Sequence, residues 1–212
     1  MDTDRLVGGL LRAHGRTYAE EAGITLRDKP APLYRLLVLT VLFSVRIRAG
    51  TATAAARELW AAGLRTPRAM AASAWRERVD ALGRAHYVRY DESTATALGE
   101  GARVVLDRFH GDLRRLRAEA AGDTEALRAL VREVPRIGPV GADIFCREAQ
   151  AVWPEVRPFF DARSRAAAGN LGLPTTPAGL AELVPGDDLA RLAAALVRVS
   201  LTKDGVRELR AA

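Results

Sequence analysis

The stretch LYRLLVLTVLFSV, residues 33–45, is apolar almost all the way round rather than along one stripe. A helix of that kind has no face to turn to water, so it belongs at the centre of a domain with other helices around it. The remaining sequence provides them. Apolar residues recur at helical spacing over 4–22 (Leu6, Leu10, Leu11), 51–62, 74–82, 92–110 and 124–133 (Leu127, Leu130, Val131, then Val134). They do so again up to about Val152, over 162–170, and over 187–200 (Leu189, Leu192, Ala193, Leu196, Val197). Thr66-Pro67, Asp123 and Pro177 read as helix starts, and Gly63, Gly83, Gly111 and Gly172 as stops. The segment DKPAP, 28–32, reads as a break. No strand-like alternation, repeat or low-complexity tract interrupts the pattern. The reading is an all-α fold of about ten helices.

Composition narrows the function classes. The chain has 212 residues, room for one large or two small domains, a net charge of +6 and a pI of about 10.2. A basic surface suggests an anionic partner, nucleic acid above all, although a general richness in arginine gives the same balance. Lys29 and Lys203 are the only lysines, so nearly all of the positive charge is arginine. Arginine suits bidentate phosphate contacts and cannot form a Schiff base. The single cysteine, Cys146, excludes a disulfide within the chain and any four-cysteine metal or iron–sulfur site. No signal peptide is expected ahead of Asp2 and Asp4, and no apolar run suits a membrane span, which points to the cytoplasm. Phosphate-loop, H-E-x-x-H and G-x-S-x-G patterns are missing, and His14, His86 and His110 are scattered as surface histidines are.

One stretch stands out, VPRIGPVGADIF, residues 134–145. Two helical patterns are joined there by a turn in which Gly138 is expected to take a backbone conformation closed to other residues. Pro139 fits the first turn of the second helix, and Ile137 is expected to anchor the turn in the core. Such a turn is either a plain connection between helices or an anion site, with N–H groups at a helix N-terminus aimed at a phosphate. Asp161 follows twenty residues after Gly141, in RPFFDARSRA, where it can cap a helix over 162–170, act chemically, or both.

Together these residues resemble the helix-hairpin-helix DNA glycosylases, the superfamily that includes endonuclease III and the adenine and alkylpurine glycosylases. The family hairpin runs approximately L-P-G-V-G-x-K-x-A, followed about twenty residues on by V-D-x-x-x-x-R. Here the hairpin is Val134-Pro135-Arg136-Ile137-Gly138-Pro139-Val140-Gly141-Ala142 and the aspartate is Asp161. The later arginine is shifted or lost, because position 166 is alanine and Arg165 lies one step away. Upstream, LTVLFSVRIRAGTA (39–52) resembles the family's L-L-S-x-Q-x-x-D helix and LGRAHYVR (82–89) its G-x-Y-x-x-K-A loop, so the likeness covers roughly residues 30–172.

Three departures shape what the resemblance implies. Val140 stands where bifunctional members carry the lysine nucleophile, which implies a monofunctional enzyme that uses water. The cysteine array of the iron–sulfur members is missing, so no such cluster is expected. The glutamate of the adenine-specific members would fall near Thr40, which disfavours undamaged adenine as the target. Cleavage of a glycosidic bond builds positive charge on the sugar, and a carboxylate, here Asp161, stabilises that charge and orients water. Arg157, Arg163 and Arg165 surround Asp161 in sequence, and any that is close in space favours its ionised form. Without a second carboxylate to act as acid, a cationic alkylated purine is the base that leaves most readily.

The resemblance also implies the remaining site residues. The hairpin amides of Gly138, Val140 and Gly141, with Arg136, are candidate phosphate contacts, and Arg48, Arg163 and Arg165 are candidate DNA contacts. Arg46 takes the place of the family's wedge residue or serves as a phosphate contact, and the loop with His86 and Tyr87 can enter from the other strand. Tyr34, Phe43, Phe145 and Trp153 can line a base pocket or simply pack in the core. The carbonyls of Arg132, Val134 and Ile137 are candidates for a potassium or sodium ion. The expected architecture is two all-α lobes, residues 31–135 ending in the hairpin (134–141), and residues 1–30 with 149–212, with the hairpin and aspartate facing a cleft. The expected function is a monomeric, nucleoid-associated glycosylase acting on a damaged base in duplex DNA. The alternatives are a non-catalytic protein of this fold that binds abasic or branched DNA, and a helical interaction module with no DNA role.

Overall fold

The computed structural model describes residues 2–202, and every regular element among them is helical. Helix α1 (Thr3–His14) and the single turn α2 (Tyr18–Glu21) replace the one helix expected over 4–22. The break falls at Gly15, where an added Cβ would lie 2.3 Å from the Leu11 carbonyl oxygen. Helix α3 (Pro30–Phe43) takes Pro30 and Pro32 into its first turn, so DKPAP starts a helix rather than interrupting one. Helix α4 (Ala49–Ala61) ends ahead of Gly63, and α5 (Pro67–Ala72) begins at Thr66, whose hydroxyl accepts from Ala69 N–H at 3.2 Å. Helices α6 (Trp75–Arg84) and α7 (Asp91–Phe109) flank a tight loop.

Helix α8 (Leu113–Ala120) has no counterpart in the sequence reading. Its eight residues, held between two glycine turns, are too few to display a clear period, although Leu113 and Leu116 are buried and Asp112 caps it. Helix α9 (Thr124–Val131) starts as expected at Asp123, which accepts from Glu125 and Ala126 N–H at 2.8 and 3.3 Å. Helix α10 (Pro139–Ala149) is shorter than expected. Helices α11 (Ala162–Leu171), α12 (Pro177–Ala181) and α13 (Leu189–Leu201) complete the described chain, with 3-10 turns at Pro154–Val156 and Gly186–Asp188. Thirteen α-helices are thus present among the described residues rather than about ten. None of them is long and apolar enough to cross a membrane.

The chain divides into two compact units, with one boundary inside α10. One unit is Ala19–Phe145, which contains the 31–135 segment and extends past it at both ends. Its centre is α3, where Leu33, Leu36, Leu37, Val38, Leu39, Val41 and Leu42 are each at most 2% exposed. Burying one such side chain stabilises a fold by roughly 2 kcal/mol. Helix α3 packs on α4, α7 and α8, and α5 and α6 pack on α7. Arg78 is buried at the junction of α5, α6 and α7 and donates to the carbonyls of Ala95 (2.8 Å), Ser73 (2.7 Å) and Met70 (3.2 Å). Gly99 leaves room for it, since a Cβ there would sit 2.8 Å from the guanidinium.

The other unit joins the chain up to Tyr18 to the chain from Cys146 onward. Its core packs α1, α11 and α13 through Leu6, Leu10, Phe160, Leu171, Leu192 and Leu196. Arg191 and Arg198 reach from α13 to the carbonyls of Gly15 and Arg16 at 3.3 and 3.0 Å, which fixes the link between α1 and α2. In the first unit, Arg78→Met would remove the guanidinium from three carbonyls, of which only that of Met70 keeps a side-chain donor, the Ser73 hydroxyl at 2.8 Å. Urea denaturation is expected to show a loss of about 3 kcal/mol, and an unchanged midpoint would contradict that role.

Candidate functional site

The hairpin folds by short-range bonds that follow from its sequence. Asp123 fixes the start of α9, and after Val131 the chain tightens, with Glu133, Val134 and Ile137 N–H donating three residues back at 3.1, 3.2 and 3.1 Å. Val134 and Ile137 are 1% and 5% exposed and anchor the turn as expected for Ile137. The left-handed residue is Arg136, with φ +69°, and not Gly138, which lies outside that region. Arg136 carries the strain of that conformation, of order 1 kcal/mol for a residue with a Cβ. Its guanidinium donates to Thr94 Oγ1 at 3.1 Å, although the residue remains exposed.

Gly141 serves packing. A Cβ there would stand 2.9 Å from Ser44 Oγ, 3.0 Å from Ile137 Cγ2 and 3.6 Å from Thr40 Cγ2. It lets the first turn of α10 close on the C-terminal end of α3. Ala142 N–H makes the first helical bond, to Gly138 at 3.0 Å, so the N–H groups of Val140 and Gly141 precede any helical acceptor. Val140 is 71% exposed at the tip, whereas Gly141 is buried. Gly101 of α7, which the sequence did not mark, gives Val134 its place, since a Cβ there would lie 3.0 Å from Val134 Cγ1.

The same end of α3 receives the loop 85–90. Tyr87 is fully buried and donates its hydroxyl to the Leu42 carbonyl at 2.9 Å, and burial pushes that phenol up to about 12. Tyr87 therefore fastens the loop and is not a surface contact, a correction to the sequence reading. His86, left-handed with φ +56°, is exposed, and Val88 and Arg89, which the sequence did not single out, are exposed beside it. Arg46 and Arg48 are exposed in the turn after α3, and the Arg48 carbonyl accepts from Thr51 and Ala52 N–H to open α4. The hairpin, the loop and the arginine turn thus meet at residues 40–48.

The base-pocket candidates divide. Tyr34, Phe145 and Trp153 are at most 2% exposed and belong to the core, so they present no face to a base. Phe43 is half-buried at the end of α3. No group of three or more His, Cys, Asp or Glu suited to a metal ion occurs among the described residues. Gly141→Ala is expected to destabilise the unit Ala19–Phe145 by about 1–3 kcal/mol, read by urea denaturation. A neutral result would mean that Ser44 and Ile137 move aside freely.

Asp161 lies in the other unit, and α10 and the segment before α11 position it. Gln150 donates to the Phe159 carbonyl at 2.8 Å and accepts from Phe159 N–H at 3.0 Å, which holds the incoming chain. Phe160 is buried in the core. Asp161 then caps α11, accepting from Ser164 N–H at 2.8 Å, while Ser164 Oγ donates back to the Asp161 carbonyl at 2.9 Å. Its other carboxylate oxygen meets Arg147 at 2.5 Å, with side-chain exposures of 8% for Asp161 and 4% for Arg147.

The cation on Asp161 is therefore Arg147, from α10, and none of the three arginines near it in sequence. Arg157 is engaged with the carbonyls of Gln150 and Ala151 and with Asp187, and Arg163 and Arg165 face solvent. The signal that could have found Arg147 is a cluster of polar residues, Arg147, Glu148 and Gln150, in the buried stretch at the end of α10 and just after it.

Burial alone would raise the Asp161 carboxyl, but the Arg147 charge and the Ser164 N–H and hydroxyl outweigh it and hold the carboxyl below the ordinary aspartate range. A carboxyl lowered by folding stabilises the fold above that range and loses the effect as pH falls through it. Asp161→Asn is thus expected to lower Tm more at about pH 7 than at about pH 3, followed by circular dichroism. An equal loss at both ends would show that the charge does not matter.

No family model matches the chain, and no curated protein matches it. Its structure is similar to that of an endonuclease III trapped as a covalent intermediate with DNA, described as an estranged-adenine complex. The TM-score is 0.51 and the identity 16%, over 78% of this chain and 72% of that one. The likeness carries the fold, an all-α helix-hairpin-helix architecture of the endonuclease III kind.

Proposed function

We propose that this chain is a monofunctional DNA glycosylase that hydrolyses the N-glycosidic bond of a damaged base in duplex DNA. The observation that carries the reading is Asp161, held as a buried anion at the start of α11 and twenty residues beyond a hairpin of the glycosylase pattern. The fold likeness to endonuclease III and the arginines around residues 40–48 support the DNA side of it.

The chemistry follows from the residue types. The bond between the base nitrogen and C1′ breaks with its electron pair leaving on the base. Positive charge develops on the sugar, and the Asp161 carboxylate stabilises it. Water forms the new bond at C1′ and gives its proton to Asp161, which passes it to solvent. An alkylated purine that is cationic in the substrate departs neutral and needs no acid. Val140 offers no amine for a Schiff base, and Lys29 flanks α3 as its N-cap residue, while Lys203 lies outside the described residues. No strand cleavage by β-elimination is therefore part of the reading.

DNA contacts are assigned to Arg46, Arg48, His86 and Arg136, to the hairpin amides of Gly138, Val140 and Gly141, and to Arg163 and Arg165. A potassium or sodium ion at the carbonyls of Arg132, Val134 and Ile137 belongs to the same proposal. The Val134 carbonyl accepts from Ile137 and keeps a second lone pair for an ion. The enzyme is read as a cytoplasmic, nucleoid-associated monomer. One observation favours a second reading, a non-catalytic binder of abasic or branched DNA: both Asp161 oxygens are already engaged.

Incubation with duplexes carrying single lesions, followed by alkali, separates the readings. Breaks that appear only after alkali, and that disappear with Asp161→Asn while duplex affinity persists, are the expected outcome. Binding without breaks supports the second reading, and the absence of any salt-dependent duplex binding sinks both.

A further inference from the structure

We propose that Arg147 is a positioning residue for the candidate aspartate, fixing the Asp161 carboxylate at the start of α11 so that it acts as an oriented anion. The inference rests on the glycosylase reading and adds to it a residue that neither the hairpin pattern nor the spacing to Asp161 marks.

Arg147 is 3% exposed, and a buried guanidinium is costly unless its charge is matched. It is matched by a single bond from Nη1 to Asp161 at 2.5 Å. Ser164 N–H holds the other carboxylate oxygen at 2.8 Å, so the plane of the carboxylate is pinned from two elements. Gln150, the residue after α10, also fixes the backbone that leads to Asp161, because it brackets Phe159 at both N–H and carbonyl. Carboxylate and approach are thus set by two residues three apart, one in the last turn of α10 and one just after it. On its other side the guanidinium lies over the Tyr18 ring, 5.7 Å from its centre, and Arg198 covers the same ring at 4.1 Å. Arg147 Nε is buried and has no acceptor among the described residues. An ordered water is the usual answer to such a donor.

The charged and titratable neighbours are few. Glu148 accepts from Tyr18 N–H at 3.4 Å, and Arg198 stands beyond the tyrosine. Arg163 and Arg165 point to solvent. Among the described residues, Arg147 is the cation that acts on the Asp161 carboxyl. Removing it leaves only the Ser164 N–H and hydroxyl to oppose burial, so the carboxylate should take up a proton at a higher pH. A merely structural tie between α10 and α11 predicts a loss of rate that does not vary with pH.

The test uses the full chain with Arg147→Met and Arg147→Lys. The Asp161 carboxyl is followed by carbon-13 NMR in the free protein and identified by its loss in Asp161→Asn. Base release is followed against pH in single turnovers on a lesion duplex. Arg147→Met should move the Asp161 midpoint up by about one pH unit or more. It should also slow release at acidic pH, across the raised midpoint, and regain rate as the pH rises. Arg147→Lys, which keeps the charge and covers the case in which the methionine variant fails to fold, should hold the midpoint near that of the parent. A midpoint unmoved in Arg147→Met, or lowered rates that stay equally low at every pH, would overturn the inference. If the parent protein releases no base, the glycosylase reading falls, and the NMR midpoint still decides whether Arg147 governs Asp161.

Discussion

Close approach at the C-terminal end of α3 is the constraint on which the unit Ala19–Phe145 depends. Helix α3 is apolar all round and buried, so its polar backbone ends must be met by neighbours that come very near. Tyr87 reaches the Leu42 carbonyl, and Gly141 admits the first turn of α10 against Thr40 and Ser44. Gly101 gives the same hairpin its seat on α7 through Val134. Each contact is short because one partner lacks a side chain or donates from a rigid ring. The exposed residues that follow, Arg46, Arg48, His86, Arg136 and Val140, therefore stand on a fixed floor. Loops carry function best when a rigid scaffold places them.

The charge arrangement follows a similar division of labour. Arginine supplies nearly all the positive charge, yet several arginines are interior or anchored fasteners. Arg78 joins three helices through carbonyls, Arg191 and Arg198 tie α13 to the link after α1, and Arg147 holds Asp161. A planar fork with several donors satisfies scattered carbonyls better than a lysine could. Part of the basic composition thus reflects how this chain satisfies buried acceptors rather than what it binds. The net charge alone is for that reason a weaker sign of a nucleic-acid partner than the exposed arginines after α3.

Much of the fold was legible because helix signals are local. The apolar stretch 33–45, the caps at Thr66, Asp123 and Thr176-Pro177, and the left-handed stops at Gly63, Gly111 and Gly172 report on their own neighbourhoods. What was hidden is what depends on distance. Helix α8 is too short to show a period, and the break at Gly15 carries neither a proline nor a left-handed backbone to mark it. The aromatic residues could not be assigned to core or surface, since stacking on a base and packing against a helix use the same side chains. The partner of Asp161 was hidden for the same reason. Arg157, Arg163 and Arg165 are near in sequence, but Arg147 is near in space. The glycine pattern also misled in one particular, because the left-handed residue is Arg136 and Gly138 needs no such freedom.

Val140 is the position where fold and chemistry can be told apart. Residues that the fold requires are enclosed, as Val134 and Ile137 are on the same hairpin. Val140 is 71% exposed, so its side chain contributes little to packing, and a long polar side chain would meet no crowding there. The turn does not demand a valine at this place. An apolar residue at an exposed hairpin tip is therefore not explained by stability, and a lysine would have been structurally admissible. That distinction bears on the mechanism: the missing amine is a property of the surface the hairpin presents, so a reading in which water replaces it rests on a position the fold left open to choice.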